Sequence, residues 1–274
     1  NEDVLWFAIV GVTLLAALIV RLGLSHFRRE YLLGREIDTL NFKLIGRTFR
    51  DRFLGQAKSV FEWYLVELPP TLKQLRQPLM ILFVLAIITG IASYAWVVIN
   101  VPAYLNLSPE RLERFKTLIA DNLVNLDTLD ERLPAPVLFY HNVRTQVVLL
   151  LLGLVSFGTL GLTLFIGNIA LVGALLGGAQ LVGYSPWLVF ATGILPHGLF
   201  ELSAFFLATA AMLKVGAQLV TPQPDKSLGE ILLLSLADWC RVFVGLVLPL
   251  LAIAALIEIY VTPQLIQLAF SSSP

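Results

Sequence analysis

His197 and Glu201 lie four residues apart, and Asp238 and Arg241 three apart, inside stretches otherwise dominated by apolar residues. On a helix either spacing puts both side chains on one face. Asn168 and Gln180 add uncharged polar groups in similar surroundings. Three chemistries fit such a set. The first is a structural interhelix network in which Arg241 neutralises Glu201 or Asp238. The second is a hydrophilic pathway or substrate cavity, and the third a metal-dependent hydrolase centre. The last lacks parts, because a zincin helix needs a second histidine at i+4 with a glutamate between, and here position 201 is the glutamate itself. No metal site and no cofactor are therefore assigned.

The elements that must position these residues follow from composition. The chain has 274 residues, 57% hydrophobic and 14% charged, with formal net charge zero. Soluble domains carry about 45–50% apolar and about 25% charged residues. A soluble enzyme domain, a disordered chain and a nucleic-acid binder working through bulk charge are excluded, and an all-α polytopic membrane helix bundle is expected. The lipid bilayer is then its first partner. The single cysteine, Cys240, rules out an intrachain disulfide framework.

Six spans are predicted. Residues 4–20 form an apolar run closed by Arg21, with acids before it and bases after it, opposite to a signal peptide. Residues 79–99 give an uncharged second span. Between Thr145 and Phe200 there is no formally charged residue, so spans are placed at about 145–166 and 168–184, with a break at Gly167-Asn168. Ser185 caps a helix beginning at Pro186. Residues 186–195 are then either part of a long tilted helix or a re-entrant half-helix, followed by a helix from Pro196 to about Gln218. Ser227 and Glu230 form a capping box that opens the last helix, to about Val261.

Orientation follows from the basic residues. Residues 21–78 hold eleven Lys/Arg against six Asp/Glu, and residues 101–143 four against six. The first segment is predicted cytoplasmic and the loop 100–144 extracytoplasmic, with both termini outside. Residues 1–24 thus form an additional N-terminal span, 25–78 a cytoplasmic amphipathic segment, 79–262 the bundle, and 263–274 a tail.

The loops carry signals of their own. Ile37, Leu40, Leu44, Ile45, Phe49 and Phe53 recur at helical spacing, and Lys43, Arg47 and Arg50 line a basic stripe beside them. This reads as an interfacial helix that seats the second span or as a docking surface for a cytoplasmic ATPase. Phe61, Trp63 and Tyr64 fit an aromatic belt. In the outer loop, Ser108-Pro109-Glu110 starts a helix, and Asp127, Asp130 and Glu131 form a solvated acidic turn.

Eight of the nineteen glycines fall between Gly153 and Gly183. Gly173 and Gly177 make a GxxxG pair, and Ala170, Ala174 and Gly178 repeat small residues every fourth position. Such stripes let helix backbones approach closely in lipid, within one chain or in a homo-oligomer.

Gly167-Asn168-Ile169-Ala170, the glycine-rich helix after it, and the stretch from Pro196-His197-Gly198 through Glu201 to Ala204 resemble the stage II sporulation protein M family over roughly residues 25–262. The resemblance implies an all-helical membrane protein with a cytoplasmic lead-in, about five spans and a Pro-His-Gly-x-x-Glu signature. It marks Asn168, Pro196, His197, Gly198 and Glu201 as candidate functional positions. In spore formers the named member anchors peptidoglycan-cleaving partners at the membrane during engulfment. The stretch from Phe27 to Ile37 resembles the tail of an ABC exporter permease, which would place Asn1 inside a longer gene product. The expected function is a non-catalytic membrane component of an envelope-remodelling or export complex, associating with itself or with other membrane subunits. An ABC-type permease coupled to an ATPase and a metal-dependent intramembrane hydrolase remain as alternatives.

Overall fold

A computed structural model describes residues 42–104, 108, 110, 113–114, 134–221, 223 and 226–271. The span 4–20, the permease-like stretch, Ile37, Leu40 and the acidic turn at 127–131 lie outside the described residues. All regular structure among those described is helical. Helix α1 is Phe42–Leu54. Helix α2 comprises Val60–Glu62, a π turn at Trp63–Glu67 and Leu68–Lys73. Then come α3 (Arg76–Tyr104), α4 (Ala135–Val155) and α5 (Thr159–Leu181). Helix α6 comprises Pro186–Val189, a π turn at Phe190–Ile194 and Leu195–Val220. Helix α7 comprises Leu228–Val242, a π turn at Phe243–Val247 and Leu248–Tyr260, and α8 is Thr262–Ser271. Five helical stretches are long and apolar enough to cross a membrane: Arg76–Pro102, Ala135–Val155, Thr159–Leu181, Pro186–Val220 and Leu228–Phe270.

Local chemistry explains most of the boundaries. The Ser185 hydroxyl accepts from the Leu188 amide with Pro186 next in line, and the Ser227 hydroxyl accepts from the Glu230 amide at 3.2 Å. Residues 186–195 are the start of one long helix, which settles the re-entrant alternative in favour of the continuous one. One expectation needs correction, the break at Gly167-Asn168: α5 runs straight through it, because Asn168 Nδ2 donates to the Leu164 carbonyl one turn back at 2.9 Å. The segment after Val261 is helical as far as Ser271 and packs Phe270 edge-on against Tyr184.

The true break is Ser156-Phe157-Gly158. Ser156 Oγ donates to the Leu152 carbonyl and accepts from the Leu160 amide at 2.8 Å, so one hydroxyl closes α4 and opens α5. Phe157 and Gly158 adopt φ of 52° and 99°, a reversal for which glycine is suited. This turn sits on Gly216 of α6, where an added Cβ would meet the Phe157 carbonyl oxygen at 2.5 Å and carbon at 2.7 Å. Backbone cannot swing aside as a side chain can. Gly216→Ala is therefore expected to destabilise the protein by about 1–3 kcal/mol, read as a lowered midpoint of thermal unfolding in detergent.

Packing is organised around α6. Phe165 of α5 stacks on Phe205 and meets Phe206 edge-on, with centroids 5.1 and 5.0 Å apart. Met212 is fully buried beside Gly153 and Gly161, whose missing side chains leave it room. By contrast α3 exposes Ile81, Phe83, Ile88 and Ile91, an apolar surface too large for a water-exposed monomer. Each π turn ends two residues before a proline, at Pro69, Pro196 and Pro249. Proline has no N–H for the carbonyl four residues earlier. For Pro249 that carbonyl belongs to Gly245, and the Tyr64 hydroxyl donates to it at 3.0 Å. Trp63 is buried and donates its indole N–H to the Phe53 carbonyl. Trp63 and Tyr64 thus serve helix packing, whereas Phe61 stays exposed.

Candidate functional site

The four ionisable residues expected to share one polar core fall into two separate groups, towards opposite ends of the segment Leu195–Val220 of α6. The first joins α1, α2, α6 and α7. Asp238 is buried and accepts two parallel hydrogen bonds from Arg52, from Nε at 2.7 Å and Nη2 at 2.8 Å. Lys214 Nζ donates to its Oδ2 at 3.2 Å and also reaches Gln74. Asp238 is hence neutralised by Arg52 and Lys214, and not by Arg241 as expected. The hydrogen bond to Asp238 holds the Arg52 guanidinium above its ordinary range, against the opposing effect of burial.

Arg241, three residues further on, points to backbone instead. Its guanidinium donates to the carbonyls of Phe53 at 3.1 Å, Glu67 at 3.2 Å and Arg52, and to the Thr71 hydroxyl at 3.1 Å. The Glu67 carboxylate lies 3.5 Å away. These carbonyls include the last ones of α1, which lack partners within the helix and carry its partial negative charge. The five-donor fork of arginine suits this geometry, and lysine would serve only part of it. The basic stripe faces the other way: Arg47 and Arg50 are exposed, each beside Asp51 at 3.6 and 3.0 Å, and Lys43 is exposed.

The second group joins α6 to the end of α7. His197 follows Pro196 at the start of the long segment of α6, with Glu201 one turn on. Glu258 reaches them from α7, and ligand atoms of His197, Glu201 and Glu258 lie within 4.8 Å of one another. The Thr262 hydroxyl sits 3.2 Å from His197 Nδ1. Beside this trio is a cavity of about 310 Å³ whose polar lining comes from His141, Asn142, Thr145, Gln146 and Asn168 together with His197 and Glu201. Asn142 and Gln146 are 7% and 3% exposed, yet Asn142 Nδ2 and Gln146 Oε1 have no hydrogen-bond partner. Lys214 lies thirteen positions after Glu201 on one helix, about 20 Å at 1.5 Å per residue.

Sequence reasoning passed over Arg52, Lys214, Glu67, Asn142, Gln146 and Glu258. A signal existed for Glu258: it is the only charged residue after Arg241, and a lone carboxylate in an apolar helix marks a polar partner or a site. The small-residue stripe splits as well. Gly173 abuts Ser93 and the Gly90 carbonyl of α3, and a Cβ on Gly177 would meet the Tyr94 carbonyl at 2.9 Å, whereas Gly178 faces open space.

Long apolar helices with an exposed hydrophobic perimeter define an integral membrane protein of the all-α bundle class. The family model for stage II sporulation protein M matches residues 79–263, and the chain belongs to that family. It is also 29% identical over 130 residues to an uncharacterized protein of Methanocaldococcus jannaschii, a match covering 47% of this chain and 71% of that protein. No solved structure matches.

Proposed function

We propose that the protein is a membrane-embedded component of an envelope-remodelling or export complex, in which α1 transmits contact with a cytoplasmic partner to the bundle. The observation carrying this reading is the attachment of α1. Its last turn is held by Asp238 through Arg52 and by Arg241 through two carbonyls, while its basic face stays available. A helix that merely rested on the bilayer surface would need no such attachment. The excess of basic residues over 21–78 supports a cytoplasmic position for α1 and α2 and an extracytoplasmic one for the loop 100–144. The His197 group then lies in the outer half of the membrane.

The partner favoured by the charge of the stripe is an acidic surface such as that of an ATPase subunit, with other membrane subunits or a second copy meeting the open side of α5 at Gly178. Co-purification from membranes of the native host tests it. Reversing Arg47 and Arg50 to glutamate is expected to lower recovery of an ATPase subunit by roughly tenfold, through lost electrostatic complementarity. Thermal stability should hold within about 0.5 kcal/mol, because both side chains are exposed. Unchanged recovery of that subunit would remove the coupling role.

A further inference from the structure

We propose that His197, Glu201 and Glu258 bind a divalent first-row transition-metal cation, of the Zn2+ or Mn2+ type. Two carboxylates here share a small space inside an apolar bundle, and among the described residues no lysine or arginine pairs with either. Two half-buried carboxylates this close repel each other unless something positive compensates them. A dication balances two carboxylates with no net charge left over, and an imidazole nitrogen beside them favours a transition metal over Mg2+ or Ca2+.

The geometry suits such an ion. Ligand atoms at about 2.0–2.2 Å from a four-coordinate cation stand roughly 3.4 Å apart. The separations here, within 4.8 Å, close to that by small side-chain rotations. The histidine is already oriented, since Thr262 engages its Nδ1 from the start of α8, and metal-bound histidines are typically held this way through the second ring nitrogen. Three protein ligands leave a fourth position for solvent.

The adjoining cavity supplies an independent observation. Asn142 Nδ2 and Gln146 Oε1, an unpartnered donor and an unpartnered acceptor, line it from α4. Buried polar atoms left in this way cost about 1–3 kcal/mol each, which a solvent-filled cavity beside a cation relieves. The site draws on α6 and α7 and uses no residue of α1, so it stands or falls separately from the coupling role above.

The test uses the purified protein in detergent, stripped of metal by a chelator. Titration with Zn2+, and separately with Mn2+, should saturate at one ion per chain for at least one of the two. Glu258→Gln and His197→Gln should each weaken binding roughly tenfold or more. Cys240→Ser removes the only thiol and should leave binding unchanged. Helical circular dichroism checks that each variant folds; if both fail, Glu201→Gln is read in their place. Cobalt(II) added to the unmutated protein needs no variant, and visible absorption bands that Zn2+ abolishes are expected. Absence of stoichiometric binding by Zn2+ and Mn2+ in the folded protein overturns the proposal, as does binding that survives the ligand substitutions.

Discussion

Asp238→Ala is expected to be among the most damaging single substitutions in the chain, costing about 3–5 kcal/mol and releasing α1 from the bundle. The carboxylate holds two cations at once, Arg52 through a bidentate pair and Lys214 through Oδ2. Removing it leaves the ammonium of Lys214, whose side chain is only 14% exposed, facing another positive charge with nothing between them. Breaking a buried pair by deleting one partner is far more costly than replacing the whole pair by apolar groups. The double variant Asp238→Ala, Lys214→Met should accordingly recover part of the loss. Thermal unfolding in detergent gives the magnitude, and faster trypsin cleavage after Arg52 reports release of the arm. Equal stability of the single and double variants would show that Lys214 is not held by this carboxylate.

The second large effect is expected where α3 meets α5. Gly173→Ala places a methyl group against the Gly90 carbonyl and Ser93. Since the obstacle includes backbone, the helices must separate, and overpacking of this kind costs about 1–3 kcal/mol, occasionally more. Gly178→Ala, five residues on, meets nothing within 4 Å. There the gain from replacing a mid-helix glycine, about 0.5–1 kcal/mol, should make the protein slightly more stable. Opposite signs at two glycines of one stripe, measured by the same unfolding experiment, would establish which side of α5 serves the chain itself. A destabilised Gly178→Ala would instead mean that the open side is already occupied by another helix in the purified protein.

Much of the architecture was legible because membrane helices announce themselves by length and apolarity. Ser185 with Pro186 and Ser227 with Glu230 marked helix starts correctly, since a cap needs only local chemistry. The turn between α4 and α5 was misplaced for a physical reason. Asn168 looks like a helix breaker, but in apolar surroundings its amide turns back onto the Leu164 carbonyl and the helix continues. The reversal depends on Ser156 and Gly158, two small residues in a stretch full of them.

The polar groups were harder still. Spacing along one helix shows which residues share a face, as for His197 and Glu201, yet says nothing of what stands opposite. The partner of Asp238 is 186 residues away in Arg52, and Glu258 lies 57 positions beyond Glu201 in the numbering. Those pairings are set by how helices pack, which one sequence does not display.

The long segment of α6 has no π turn or proline after Pro196, and its 26 residues extend about 39 Å. His197 and Glu201 stand near one end and Lys214 near the other. If a rod of that length pivots as a unit, a tilt of about 5° around its midpoint moves Glu201 and Lys214, each about 10 Å from it, by roughly 0.9 Å in opposite directions. That displacement exceeds the slack of a hydrogen bond. A pull on α1, felt through Asp238 and Lys214, would therefore change the bore of the far cavity, and a ligand tightening that cavity would strain the grip on α1. The helix would then work as a seesaw, with its two loads on opposite sides of its own midpoint.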